Sequence, residues 1–202
     1  MRNDSDNIIR EQVNRLGIPP QEMLQKEILR HDRNEAYRKL IRGGLIGLIT
    51  ITALVLVITN LWLAVLQIEG SSMNPLLQRD EIVIAVRNDN PEKNDIIAFY
   101  FNNKLHIKRV IATAGEWVDI DSDGVVSVNG KILDEPYVAE PSLGNCDIDF
   151  PFFIPTGTVF VMGDNRPVSL DSRDNHFGPI TRDQIVGKIK YSIWPLSQFG
   201  SI

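Results

Sequence analysis

The stretch "GVVSVNGKIL", residues 124–133, decides the fold class. Apolar positions alternate around Asn129-Gly130, and this dipeptide is the strongest short signal for a two-residue β-hairpin turn. Another turn sequence, "DSDG" at residues 121–124, comes just before it. The stretch therefore predicts two short antiparallel strands joined by a tight turn.

Short apolar runs of the same kind recur through residues 67–202, and they are rich in β-branched and aromatic side chains. They read "EIVIAVR", "DIIAFYF", "LHIKRVIATA", "EWVDI", "TVFVMG" and "QIVGKIKYSIW". Residues 135–155 are rich in Pro, Gly and Asn and predict one long irregular connection. A helix is indicated only around residues 181–185. The pattern predicts a mainly β domain of antiparallel ribbons.

Before this domain, residues 44–66 read "GLIGLITITALVLVITNLWLAVL" and carry no charge. At about 1.5 Å per residue they would form a helix of roughly 34 Å, long enough to cross the hydrocarbon layer. A buried core helix would normally show a polar face, and a cleaved leader would begin nearer the N-terminus. We therefore expect a retained transmembrane anchor.

The charges on the two sides of the anchor predict its orientation. Residues 30–43 carry five Lys or Arg against two acids, and basic flanks stay in the cytoplasm. Residues 1–43, which include a predicted helix over about 20–42, are the expected cytoplasmic segment. Residues 67–202 hold twelve basic and nineteen acidic side chains, and this acidic extracytoplasmic domain argues against nucleic acid as a partner.

The sequence offers little from which to build a metal site. It contains one cysteine, Cys146, and three histidines, with no HExxH or similar spacing. We therefore expect no metal and no cofactor, and an intrachain disulfide is excluded.

Two adjacent serines follow the anchor in "EGSSMNPLL", residues 69–77. A serine hydroxyl needs a base to become a nucleophile, either a histidine or a neutral lysine. His106 and Lys108 lie two residues apart in one predicted strand, on the same side, so either could face Ser72. Lysine could serve only if burial or a nearby positive charge lowered its pKa, and apolar neighbours and Arg109 supply both.

The third informative stretch is "MGDNRPVSLDSRDNHFG", residues 162–178. Its dense opposite charges around two serines indicate a hydrogen-bonded loop. Such a loop could be a plain turn network, or a scaffold that holds the catalytic strand.

Together, "GSSMNPLL", "HIKRVI" and "GDNRPVSLDSR", in this order after an N-terminal anchor, resemble the type I signal peptidase family of membrane-bound Ser/Lys peptidases. "DEIVIAV", "NDIIAFY", "VSVNGKIL" with the following "EPY", and "IVGKIKYSIWP" extend the resemblance over residues 66–200. It implies a signal-peptidase-type β domain.

The resemblance also implies roles for single residues. Ser72 would be the nucleophile, Lys108 the general base, and Ser169 the serine that hydrogen-bonds the lysine. Apolar pocket walls are expected at Ile68, Met73, Leu77 and Ile107, and structural loop positions at Asp164, Asn165, Arg166, Asp171, Ser172 and Arg173. At Gly70, as in Gram-positive members, a serine that helps to hold the oxyanion is absent, so the oxyanion hole would rely on the Ser72 backbone N–H and a second donor.

The implied function is removal of signal peptides from exported preproteins, by cleavage after small residues through an acyl-enzyme. The implied partners are preprotein signal peptides, the lipid bilayer and the secretion translocon, in a single-pass protein of the cell membrane. Two alternatives stay open at this point. One is a membrane-tethered β domain that binds signal-like segments without cutting them, and the other is an enzyme with His106 as base.

Overall fold

A computed structural model describes residues 21–87 and 90–202 of the 202-residue chain. The chain divides between Leu56 and Val57 into two compact units. The first described element is helix α1, and every strand belongs to the second unit. Expectations for residues 1–20, including the start of the cytoplasmic segment, lie outside the described residues.

Helix α1 runs from Gln21 to Trp62, a total of 42 residues. It combines the two helices that the sequence predicts, over about 20–42 and over 44–66, into one. Within its portion Ile28–Trp62, an 18-residue window reaches a mean hydropathy of 2.3, so this portion is long and apolar enough to cross a membrane, by length and composition. The apolar helix is therefore a candidate membrane span.

The predicted anchor extends too far at its C-terminal end. Residues 63–66 do not continue the helix; they belong to strand β1, Leu63–Gln67, which pairs antiparallel with β2 over Ile82–Val86. An apolar run such as "LAVL" suits either a membrane helix or a half-buried strand. Here the partner strand decides between them, because it pairs with all five residues of β1.

The second unit contains two antiparallel sheets. The remaining strands are β3 (Ile96–Phe101), β4 (Lys104–Thr113), β5 (Trp117–Ile120), β6 (Val126–Val128), β7 (Lys131–Ile132), β8 (Phe152–Phe153), β9 (Thr158–Met162), β10 (Ile180–Thr181), β11 (Ile185–Trp194) and β12 (Gly200–Ser201). The larger sheet has the order β1-β2-β11-β3-β4-β9-β10, with β12 on β11, and the smaller has the order β7-β6-β5-β8. Among the described residues, 3-10 helices cover only Arg182–Gln184 and Leu196–Gln198.

The hairpin predicted within residues 124–133 is present. Asn129 and Gly130 both have positive φ, 51° and 76°, as a type I′ turn requires, and they join β6 to β7. The long connection over residues 135–155 is irregular apart from the two residues of β8. The mainly β, antiparallel fold class is confirmed.

Strand β4 lies in the interior of the larger sheet, between β3 and β9. Its residues from Lys108 to Ala112 are buried, and apolar side chains from its neighbours pack around it. A polar side chain on this strand is thus shielded from water.

Candidate active site

Ser72 lies in a turn within the connection from β1 to β2, residues 68–81. The backbone N–H of Asn74 donates to the Ser71 carbonyl at 3.2 Å, and that of Leu77 donates to the Met73 carbonyl at 3.0 Å. Met73 and Leu77 are buried in the hydrophobic core, whereas Ser72 stays partly exposed. The apolar residues of the turn therefore fix the backbone on which the Ser72 hydroxyl is presented.

Lys108 reaches this hydroxyl from strand β4. Its Nζ lies 2.6 Å from Ser72 Oγ, although the two residues are 36 positions apart in the chain. The protonated amine donates to Oγ at this distance, and the same distance lets the Ser72 hydroxyl donate to a neutral amine. The structure thus brings together the two residues that the sequence analysis paired.

The surroundings of Lys108 favour the neutral amine. Only 3% of the residue is exposed, and burial is the largest of the effects that together lower the pKa of its amine to about 8; Asp171 and Asp164 raise this pKa, and the positive charge of Arg173 lowers it. From the sequence, this positive charge was expected at Arg109, but Arg109 pairs with the Asp164 carboxylate. A pKa near 8 leaves an appreciable neutral fraction at mildly alkaline pH.

His106 occupies a different environment on the same strand. Its ring packs against Phe99, Phe101 and Phe177, with centroid distances between 5.4 and 6.2 Å. Burial and the charges of Lys108 and Lys104 lower its pKa. Of the two candidate bases, the part of the chain that the structure describes places Lys108 in contact with the Ser72 hydroxyl.

The loop after β9 is tied directly to the nucleophile turn. The backbone N–H of Asn165 donates to the Ser72 carbonyl at 3.0 Å, and its side-chain amide donates to the Ser71 carbonyl at 3.1 Å. Gly163 lies so close to the turn that an added Cβ would meet the Ser72 carbonyl oxygen and come within 2.7 Å of Ser169 Cβ. Only glycine permits this approach, which sets the position of the turn against the loop.

Ion pairs with two hydrogen bonds each hold the same loop in place. Asp164 accepts from Arg109 at 2.8 and 2.7 Å, and Asp171 accepts from Arg173 at 2.8 and 2.9 Å. Asp171 also accepts from the Gly163 backbone N–H at 3.0 Å. All four charged side chains are buried, where paired hydrogen bonds offset the cost of removing the charges from water.

Residues distant in sequence complete this network. Glu135 accepts two hydrogen bonds from Arg166, at 3.0 and 2.6 Å, and the Tyr137 ring lies 3.9 Å from the guanidinium carbon of Arg109. The sequence alone does not indicate that Arg109, Glu135 and Tyr137 support this loop. For Glu135 and Tyr137, the one sequence signal is "EPY", a stretch that carries part of the family resemblance.

Arg173 and Ser172 bond mainly to the backbone. Arg173 donates to the carbonyls of Ser142, Leu143 and Arg166 at 2.8 to 3.0 Å. Ser172 Oγ accepts from the Val161 N–H and donates to the Gly178 carbonyl, at 3.0 and 2.8 Å. The loop is therefore a network of buried polar groups rather than a solvated turn.

The hydrogen bond expected between Ser169 and Lys108 is not present in the structure. Ser169 is buried, and its Oγ has no hydrogen-bond partner among residues 21–87 and 90–202. The side chain packs against the backbone of Gly163, on the side of the loop that faces the Ser72 carbonyl. Ser169 therefore packs against Gly163 of its own loop, next to the Ser72 carbonyl, while Lys108 bonds to Ser72.

A cleft of about 590 Å³ adjoins Ser72 and Lys108. It lies between the end of β1 with the start of the turn, residues 67–73, and the first half of β4 with the preceding turn, residues 103–108. Ile68, Met73 and Ile107 line it, as expected. Leu77 is not among its lining residues; it is 1% exposed and lies in the core beneath the turn.

Gly70 leaves open space beside the backbone of the nucleophile. A Cβ added to it would have the Ser72 backbone nitrogen, 4.0 Å away, as its nearest neighbour. Within the described residues, this N–H makes no hydrogen bond. It is therefore available to an oxyanion, and a side chain at position 70 would lie next to it.

In the described part of the chain, no three His, Cys, Asp or Glu side chains lie close enough together to hold a metal ion. The contact between Ser72 and Lys108 needs no such ion to support acyl transfer, because the lysine can accept the proton itself.

Comparison with known proteins identifies the family of the chain. A model of the family described as signal peptidase, peptidase S26, matches residues 42–194. The chain is 38% identical to signal peptidase IB of Staphylococcus aureus over 152 residues, which cover 65% of this chain and 78% of that protein. It is 34% identical to thylakoidal processing peptidase 1 of Arabidopsis thaliana over 148 residues, again 65% of this chain but only 42% of the plant protein.

Among solved structures, a signal peptidase I from Enterococcus faecalis is 31% identical, with a TM-score of 0.41. The match covers 50% of this chain and 97% of the other. By the extent of the family match and the identity to the staphylococcal protein, the chain belongs to the signal peptidase family, peptidase S26.

Proposed function

We propose that this chain is a type I signal peptidase, which removes signal peptides from exported preproteins with Ser72 as nucleophile and Lys108 as general base. One observation carries the proposal: a lysine amine, buried and with its pKa lowered to about 8, lies 2.6 Å from the hydroxyl of a serine that lines a cleft. Burial favours the neutral amine, which can accept a proton, and the Ser72 hydroxyl lies within hydrogen-bond distance of it.

The reaction begins when neutral Lys108 takes the proton of Ser72 as Oγ attacks the scissile carbonyl. The Ser72 backbone N–H donates to the oxyanion that forms. Protonated Lys108 then gives its proton to the leaving amine, and the acyl group remains on Oγ. Water, deprotonated by the same lysine, attacks the acyl carbon; the bond to Ser72 Oγ breaks, the lysine returns the proton to Oγ, and the signal peptide leaves with a free carboxylate.

The cleft supports the choice of substrate. Ile68, Met73 and Ile107 provide shallow apolar walls beside Ser72, which suit small apolar side chains at the positions before the cut. A signal sequence is itself a membrane helix that ends near the bilayer surface. An enzyme held in the same bilayer meets it at a raised effective concentration, so the lipid bilayer and the secretion translocon are the expected surroundings.

The proposed topology has the first 43 residues in the cytoplasm and a single span starting near residue 44. The helix end at Trp62 supports an extracytoplasmic catalytic domain that begins with β1 at Leu63. The excess of basic residues in 30–43 supports this orientation in the cell membrane.

The decisive experiment compares the wild-type chain and Ser72→Ala on one preprotein in detergent or lipid vesicles. We expect a new N-terminus immediately after a small residue with the wild type only, mapped by mass spectrometry, because the variant lacks the attacking oxygen. Equal cleavage by both proteins would rule out Ser72 as nucleophile. Binding without cleavage by both would favour the tethered binding domain.

Gly70→Ser tests the oxyanion hole independently. The open space at position 70 admits a hydroxyl next to the Ser72 N–H, so we expect kcat to rise about threefold to tenfold, below the roughly 10² to 10³ measured for an optimised donor. Gly70→Ala fills the same space without a donor and serves as the matched control. An equal effect of both substitutions would show that the hydroxyl does not reach the oxyanion.

A further inference from the structure

A second cavity, of about 500 Å³, borders the nucleophile turn. Its lining residues are Ser71, Asn74, Pro75, Gln78 and Arg79. The first cleft is lined by residues 67–70, Ser72, Met73 and residues 103–108, and it shares no lining residue with this second cavity. The nucleophile turn thus borders two separate cavities.

A peptide substrate needs two such regions. When its scissile carbonyl lies at Ser72 Oγ, the residues before the cut occupy the apolar cleft beside Ser72 and Lys108, and the residues after the cut must continue elsewhere. The second cavity begins at Ser71, one residue from the nucleophile. It is therefore within reach of the first residues on the leaving side.

The charge of this cavity is positive. Arg79 is its only charged lining residue, and it is exposed. Arg79 Nε donates to the Glu69 carbonyl at 2.8 Å, which holds the guanidinium at the border between the two cavities. Among residues 21–87 and 90–202, no carboxylate forms an ion pair with it, so its charge is available to a ligand.

The remaining polar side chains of the wall are uncharged: Ser71 and Gln78 are exposed, and Asn74 is half-buried. Their hydroxyl and amide groups can form hydrogen bonds with the backbone of a bound peptide. The wall therefore combines uncharged hydrogen-bonding groups with one cation for a side chain.

We propose that this cavity binds the first residues after the cut, and that Arg79 makes the enzyme favour an acidic over a basic side chain there. The proposal rests on the proposed peptidase function and adds a specificity for the residues on the leaving side of the cut. An exposed arginine beside a carboxylate contributes modestly, so the expected preference is about threefold to fivefold in kcat/KM.

The test uses the full-length chain and matched peptides with Ala one and three residues before the cut. Each set carries Glu, Gln or Lys at the first, second or third residue after the cut. We expect wild-type kcat/KM to be highest for Glu and lowest for Lys at one of these positions. Arg79→Gln should remove the preference, and Arg79→Glu should invert it, a change of about tenfold in the Glu/Lys ratio.

Lys131→Glu is the control, since it makes the same change in net charge on the exposed strand β7 of the smaller sheet. It should leave the Glu/Lys ratio as in the wild type. Wild-type cleavage with equal rates for Glu and Lys at all three positions, or a ratio unchanged in Arg79→Gln, would overturn the proposal. A wild type that cuts none of the peptides would instead overturn the peptidase function, and the subsite with it.

Discussion

Lys108→Met should lower kcat about 10⁴-fold, the upper range for loss of a general base. Methionine has nearly the volume of lysine and fits the buried position, so the loss would reflect the missing amine rather than a cavity. Initial rates with a quenched fluorescent peptide in detergent micelles measure the effect. Circular dichroism of the variant checks that the fold is kept.

The pH dependence assigns the loss to proton transfer. Because the neutral amine is the active form, wild-type kcat/KM should rise with pH and level off above the Lys108 pKa of about 8. Lys108→Met should lack this inflection, whereas His106→Gln should keep it. Activity that survives Lys108→Met but not His106→Gln would make the histidine the base.

Arg173→Met should lower the free energy of unfolding by about 3–5 kcal/mol, the usual cost of removing one partner of a buried ion pair. Asp171 would then retain a buried carboxylate with the Gly163 N–H as a donor, and four backbone carbonyls would lose the guanidinium as a donor. Urea unfolding followed by tryptophan fluorescence, in detergent, measures the change.

Two comparisons show whether the pair itself is responsible. Lys131→Met, on exposed β7, should change the free energy of unfolding by less than about 0.5 kcal/mol. Asp171→Leu combined with Arg173→Met removes both charges and should recover part of the loss. A loss below about 1 kcal/mol for Arg173→Met alone would mean that water replaces the guanidinium.

Much of the fold could be predicted because its signals are local. The Asn129-Gly130 turn and the apolar runs of β2 to β6, β9 and β11 are readable from their own residues. Strand β1 could not be recognised, because its composition matches that of the apolar helix before it. Only pairing with Ile82–Val86, which the sequence does not encode locally, makes those residues a strand.

The site was predictable to a similar extent. Ser72 and Lys108 could be paired from the chemistry and the family resemblance, and the structure brings them together. The partner of Asp164, Arg109, lies 55 positions away, and nothing local to either residue indicates it. Leu77 and Ser169 were misplaced for the same reason: whether a side chain faces a cleft, a core or a lysine depends on the packing of distant segments.

With helix α1 in the bilayer, as proposed, its direct passage into β1 would limit the distance from the membrane at which Ser72 can act. Ten residues separate Trp62, where the helix ends, from Ser72, and even a fully extended chain of this length spans at most about 35 Å. Five of the ten are fixed in a paired strand, so the tether cannot lengthen when a substrate arrives. Cleavage sites that lie farther from the membrane surface than this extended span would then remain uncut, whatever their sequence.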